Sequence, residues 1–176
     1  MNNRELCFRL ANRSDTALIL QFIKELADYE KMADEVVANE QLLEEWIFDK
    51  QKAEVIFAVA DGKEVGFALF FHNFSTFLGR AGIYLEDLYV KPEYRGKGCG
   101  KSILKKLASI AVERGCGRLE WWCLDWNKPS IDFTCRWARS LCPTGPCTVS
   151  LAILCQVSQN NDPSLRKQFS RRRMAL

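Results

Sequence analysis

The apolar residues Leu18, Ile19, Phe22, Ile23 and Leu26 recur at intervals of one, three and four. That spacing lines one face of a helix, and a short strand over 7–11 precedes it. Ser14 or Asp15 stands where its N-cap belongs, and Asn39 can cap a second helix over 40–48. The period then shortens to two. Residues 55–60 read as a strand, Asp61-Gly62 as a tight turn and 64–72 as the returning strand of a hairpin. A loop is expected over 73–82, then a strand over 83–90 ended by Lys91-Pro92. Ile103, Leu104, Leu107, Ile110 and Ala111 mark a third helix, 101–113, with Gly115 or Gly117 near its stop. A strand over 118–124 carries Trp121 and Trp122, and Asn127 with Pro129 opens a further helix. The order β-α-α-β-β-β-α-β-α predicts an α/β (α+β) fold, a mixed central sheet flanked by helices.

Between the 83–90 strand and the third helix the chain reads YRGKGCGKS, Tyr94 to Ser102. The closing Gly-Lys-Ser resembles the end of a P-loop, but that pattern needs glycine five positions earlier, where Arg95 stands. What remains is an Arg-x-x-Gly-x-Gly turn running into a helix. Its backbone N–H groups suit a phosphate at the helix N-terminus. The turn also sits at a strand's carboxyl end, where open sheets take ligands.

Composition narrows the classes. A chain of 176 residues is long enough for one domain with a core. No apolar run is as long as a membrane span, and MNNRELCFRL is not a signal peptide, so a cytoplasmic protein with reduced thiols is expected. Eight cysteines form no C-x-x-C pair and His72 is the single histidine, so no metal is expected. His72 has no serine or carboxylate pattern beside it that would suggest a hydrolase triad. The net charge is +3, yet residues 134–176 hold seven basic residues and one acid. Residues 1–133 therefore carry 18 basic and 21 acidic side chains, a balance of −3. An acidic body suits a small cationic substrate, and nucleic-acid binding would rest on the tail alone.

Three segments now read together: Tyr84-Leu85-Glu86-Asp87-Leu88-Tyr89-Val90, the turn Tyr94 to Gly100, and Trp126-Asn127-Lys128-Pro129-Ser130-Ile131-Asp132-Phe133. They resemble the GNAT acetyltransferases, and within them the spermidine/spermine (diamine) N-acetyltransferase branch, whose first helix is similar to residues 23–30. The resemblance covers 6–133. It implies acetyl-CoA as the phosphate-bearing ligand and a primary amine of a polyamine, diamine or lysine-like amino acid as acceptor. A protein N-acetyltransferase of the same fold is an alternative. It implies that the diphosphate rests on Arg95, Gly96, Lys97, Gly98, Cys99, Gly100 and Lys101. The pantetheine arm would pair with the backbone of Leu88, Tyr89 and Val90, opposite Glu120 to Trp122, and Asn127 and Ser130 match positions near it. Glu86 matches the catalytic glutamate. Tyr29, Glu30, Glu86, Asp87, Glu120, Trp121 and Trp122 match the acceptor site, with Asp87 expected on the pleat opposite Glu86. The two strand tryptophans and Trp126 also suit a core or subunit contact. A homodimer is the implied assembly.

The acceptor must lose a proton before it attacks. With an alkylammonium pKa near 10.4, about one molecule in 2,500 is neutral at pH 7, roughly 4.6 kcal/mol uphill. Glu86 is the base expected to take that proton.

The resemblance stops at Thr134, where the family places a tyrosine acid. Domain boundaries are accordingly 1–133, an acetyltransferase domain incomplete at its end, and 134–176, an atypical tail. Codons read one frame over allow tyrosine across Phe133/Thr134 and force glycine across Trp137/Ala138. Both fit the family's Phe-Tyr-x-Ser-Leu-Gly-Ala. An out-of-frame tail is therefore expected, with the last strands missing or disrupted, 156–176 disordered and turnover impaired. The nucleotide sequence across codon 133 decides it: an intact frame reading Thr-Cys-Arg-Trp ends the idea.

Overall fold

In a computed structural model, residues 6–124, 126–141, 150–155 and 173–175 are described, those beyond Thr134 by their backbone alone. The chain runs β1 (Cys7–Leu10), α1 (Thr16–Tyr29), α2 (Glu40–Leu43), β2 (Glu54–Ala60), β3 (Lys63–Ser75), β4 (Arg80–Val90), α3 (Cys99–Glu113), β5 (Arg118–Cys123), α4 (Lys128–Leu141), β6 (Ser150–Cys155) and β7 (Arg173–Ala175). The strands form one mixed sheet in the order β1-β2-β3-β4-β5-β6, with β7 attached to β4. β1 to β4 pair antiparallel; β5 joins β4 in parallel through the α3 crossover, and β6 joins β5 in parallel.

The sheet is covered on both faces, so its central strands are apolar on both. Ile103, Leu104 and Leu107 of α3 pack on Ile83, Leu85 and Trp121. On the other face Ile19, Phe22, Ile23 and Leu26 of α1 pack on Phe57, Phe67 and Tyr89. Phe22 stacks on Phe67 with ring centres 5.1 Å apart. Burying each such side chain stabilises by about 1.5–3 kcal/mol.

Three local expectations change. Asp15 stands at the N-cap position of α1, as one of the two expected candidates, but its side chain makes no cap bond to the helix. Asn12 accepts from the Ser14 N–H and opens a short 3₁₀ turn, Arg13–Asp15, ahead of α1. Asp15 returns a bond to the Asn12 N–H and holds Arg9 with both oxygens at 2.8 Å. The helix after Asn39 is α only to Leu43; Glu44–Asp49 continues as a π-turn. The expected loop over 73–82 is a long hairpin instead. β3 and β4 stay paired out to Ser75 and Arg80, because Thr76 to Gly79 suffice to turn the chain.

Beyond Thr134, α4 continues to Leu141 and β6 covers the edge of β5. The expectation for 156–176 lies outside the described residues except at β7.

Candidate functional site: a fork in the sheet above a glycine turn

The pleat of β4 changes phase at Glu86. Ile83 and Leu85 face the α3 core, and so do Leu88 and Val90. Odd positions give way to even ones, so one extra residue has entered the strand. The register agrees: Leu69 pairs with Asp87 and Phe70 with Leu85, leaving Glu86 as the inserted residue of a β-bulge. Glu86 and Asp87 thus lie between two α3-facing leucines, both on the side of α1. The expectation that Asp87 occupies the opposite pleat is corrected by this insertion.

A bulge bends its strand and increases the local twist. β5 follows β4 only from Ile83↔Leu119 to Leu85↔Trp121. Beyond Glu86 the two strands separate, and β7 fills the fork. It pairs in parallel with Asp87, Leu88 and Tyr89 through Arg173, Met174 and Ala175. The backbone edge expected to receive the coenzyme's arm is therefore shared with the chain's own tail.

Below the fork, Pro92–Tyr94 form a 3₁₀ turn and Gly96 and Gly98 adopt φ of 71° and 85°. L-residues rarely take this left-handed backbone. A Cβ built on either glycine meets nothing within 4 Å, so the cradle is open above the turn. Gly98 is the N-cap of α3 and no side chain caps it. The first-turn N–H groups of α3 are thus left to an external acceptor, aided by the helix dipole. This is the fit a diphosphate requires. Lys101 is exposed beside it. Lys97 is exposed too, with its ammonium donating to the Glu93 carbonyl at 2.6 Å. Cys99 and Gly100 offer backbone only. The Cys99 thiol points into the core, and burial pushes it up to about 11, so it stays protonated and inert.

Other expected site residues have structural occupations. Arg95 turns its charge away from the cradle: Nε donates to the Val90 carbonyl at 2.8 Å. Its guanidinium lies 4.5 Å over the Tyr29 ring and 5.2 Å over that of Tyr89. Glu120 accepts from the Asn73 amide and pairs with Arg118 at 3.2 Å, so its carboxylate is committed within the sheet. Trp121 is fully buried in the α3 core and lines no open surface. The Glu120 pairing departs from the expected acceptor role, whereas Trp121 takes the core place that the sequence also allowed; Trp122 is half-buried. Asn127 and Ser130 are buried, and Asn127 caps α4 by accepting from the Ser130 N–H at 3.3 Å. Tyr29 and Glu30 end α1, with Glu30 buried and Tyr29 half-buried 6.2 Å from the Trp126 ring. Thr134, where a tyrosine acid was expected, is wholly buried with its hydroxyl 4.0 Å from the Cys123 thiol.

The bulge was the feature sequence reading missed. Its signal was present in the spacing of Ile83, Leu85, Leu88 and Val90, a period-two pattern with one residue inserted.

Comparisons agree with this geometry. The chain is 42% identical over 133 residues to the thialysine N-epsilon-acetyltransferase of Bos taurus, covering 70% of this chain and 78% of that one. It is 32% identical over 133 residues to the human spermidine/spermine N(1)-acetyltransferase-like protein 1, across 71% of this chain but 19% of that longer protein. Among solved structures, an aminoglycoside acetyltransferase from an uncultured soil metagenomic sample superposes with a TM-score of 0.65 at 19% identity. The overlap spans 80% of this chain and 90% of that one, and shows a shared fold. The profile described as "Acetyltransferase (GNAT) family" matches residues 19–136. A forked sheet above an open glycine turn, with two-thirds of the sequence matched, places this chain in the GNAT acetyltransferase family.

Proposed function

We propose that this N-acetyltransferase moves an acetyl group from acetyl-CoA to the side-chain amine of a lysine-like amino acid. The observation that carries the reading is the bulge that sets Glu86 and Asp87 side by side at the fork, above an open phosphate cradle. Support for the acceptor comes from relatives named for thialysine and, over 68 residues at 47% identity, for L-ornithine in Arabidopsis thaliana. Both names denote amino acids with a second amine.

The coenzyme supplies an activated thioester when bound. The chain's part is to hold and to move protons. The turn's N–H groups, from Gly96 to Lys101, hold the diphosphate. Glu86, directly or through water, takes the ammonium proton and so supplies the roughly 4.6 kcal/mol step to the neutral amine. Asp87 and Glu30 are the carboxylates that suit the acceptor's charge, and Tyr29, at the end of α1, completes the wall of that site by its shape.

A second reading is an acyl-CoA-binding protein with little turnover. Thr134 is buried against Cys123 where the family's acid was expected, and a positioned general acid contributes about 10²–10⁴-fold. An out-of-frame origin for 134–176 belongs to this reading. A thiol-release assay with thialysine, lysine, ornithine, spermidine, putrescine and a peptide panel separates the cases. Release with the amino acids supports the first. CoA binding without release selects the second, and release with peptides alone overturns both.

A further inference from the structure

Arg95 is the residue whose placement the coenzyme reading leaves unexplained. A phosphate ligand would direct its guanidinium over the open glycines. Arg95 directs it backward: one edge donates to the Val90 carbonyl, and the flat cation lies over Tyr29 at 4.5 Å and Tyr89 at 5.2 Å. Tyr29 closes the last turn of α1, and Tyr89 and Val90 close β4. Tyr29 in turn meets Trp126, at the entrance to α4. Arg95 therefore joins the phosphate turn, the strand and the wall that faces the acceptor.

We propose that Arg95 is a positioning residue for the acceptor wall and not a ligand of the diphosphate. It clamps the end of α1 to the end of β4, and so sets where Tyr29 and Glu30 stand relative to Glu86 and Asp87. Arginine suits this work and lysine does not. A planar guanidinium stacks on a ring while donating in its own plane, whereas an ammonium is a point charge. One face of the Tyr29 ring is already covered by Arg95. Tyr29 thus shapes the site by its position, and the acceptor's charge is left to the carboxylates.

The inference rests on the proposed function for its kinetic arm and stands apart from it for its structural arm. Arg95→Gln, Arg95→Lys, Tyr29→Leu and the Arg95→Gln/Tyr29→Leu double variant are compared with the wild type. Calorimetry reads CoA and pantetheine, which lacks the diphosphate. Steady-state kinetics read thialysine. Each single change should raise the thialysine KM about five- to tenfold, with the CoA Kd within about twofold. The double variant should add nothing further, since the two residues act through one contact. Arg95→Gln that weakens CoA tenfold or more, spares pantetheine and leaves the amine KM unmoved would show a phosphate ligand and overturn the proposal. Should the wild type bind no CoA, the coenzyme reading fails, and the clamp is read from amide hydrogen exchange alone. The Glu30 and Met32 amides, bonded to Leu26 and Ala27 carbonyls at 3.0 and 2.8 Å, should then lose protection about tenfold in Arg95→Gln at an unchanged unfolding midpoint. Equal protection in both proteins sinks the clamp.

Discussion

Gly98→Ala is a direct test of the cradle because its cost can be worked out beforehand. The position has φ of 85°, and an L-residue in that left-handed backbone costs about 1–2 kcal/mol. Alanine also stiffens the unfolded chain, which offsets about 0.4–1 kcal/mol. The net loss is about 1 kcal/mol, or roughly 2–4 °C in Tm for a chain of this size. The added methyl meets nothing of the protein within 4 Å, so no clash enlarges that figure. The fold survives, and any larger effect must come from the ligand's side. Gly79→Ala is a matched control. It has φ of 61°, its Cβ also meets nothing within 4 Å, and it lies at the other end of β4. Both variants should melt slightly early in calorimetry. Gly98→Ala alone should weaken CoA at least tenfold, about 1.4 kcal/mol, near the value of one hydrogen bond to a charged group. Wild-type affinity in Gly98→Ala, or an equal loss in Gly79→Ala, would refute the assignment of the diphosphate to this turn.

Glu86→Gln should lower kcat/KM for thialysine about 10²–10⁴-fold at pH 7, and the deficit should shrink as rising pH supplies neutral amine; a flat deficit from pH 7 to 10 would exclude the base role. Removing 173–176 should tighten CoA binding, by no more than about tenfold. Three ladder residues gain about 0.5–1.5 kcal/mol each and cost about 1–2 each to order, a near balance; calorimetry showing looser binding would contradict a shared slot. Asp15 is held below its ordinary carboxylate range, first by the Arg9 hydrogen bonds. Its stabilisation is therefore complete above the unfolded value near 3.8 and is lost as pH falls through the lower folded one. Urea midpoints should put Asp15→Asn below wild type at pH 6 and let the curves converge well below pH 4; a constant gap would refute the linkage. Gly66→Ala should cost about 1–3 kcal/mol, since its Cβ would sit 2.9 Å from the Tyr89 carbonyl oxygen and 3.2 Å from Ile103; an unchanged melting temperature would mean the strand can yield.

Much of this architecture was readable because it depends on near neighbours. The apolar face of α1, the Asp61-Gly62 turn, the Asn39 cap and the start of α4 at Asn127 each follow from residues within one turn of one another. The features that sequence reading misjudged depend on distant partners. Asp15 stands at the N-cap of α1, but its oxygens go to Arg9 and to the Asn12 N–H and not to the helix's own amides. Glu120 is committed by Asn73, 47 positions earlier, through a hairpin longer than expected. The stacking of Arg95 on Tyr29 and Tyr89, which the proposed clamp rests on, forms only once α1 has docked on the sheet. The Glu86 bulge stands between these cases: the spacing of Ile83, Leu85, Leu88 and Val90 carries it, but only the register with β3 shows which residue was inserted.

The strand that enters the fork gives the molecule a built-in tell-tale. On the coenzyme reading, β7 and the pantetheine arm both require the backbone of Leu88 and Tyr89 and cannot hold it together. Whatever displaces Arg173 to Ala175 sets the carboxyl end loose. A dye attached there would then tumble faster, and an endoprotease would clip behind Arg173 sooner, whenever the slot is filled. Cofactor loading would be visible from the far end of the chain without any acceptor being turned over.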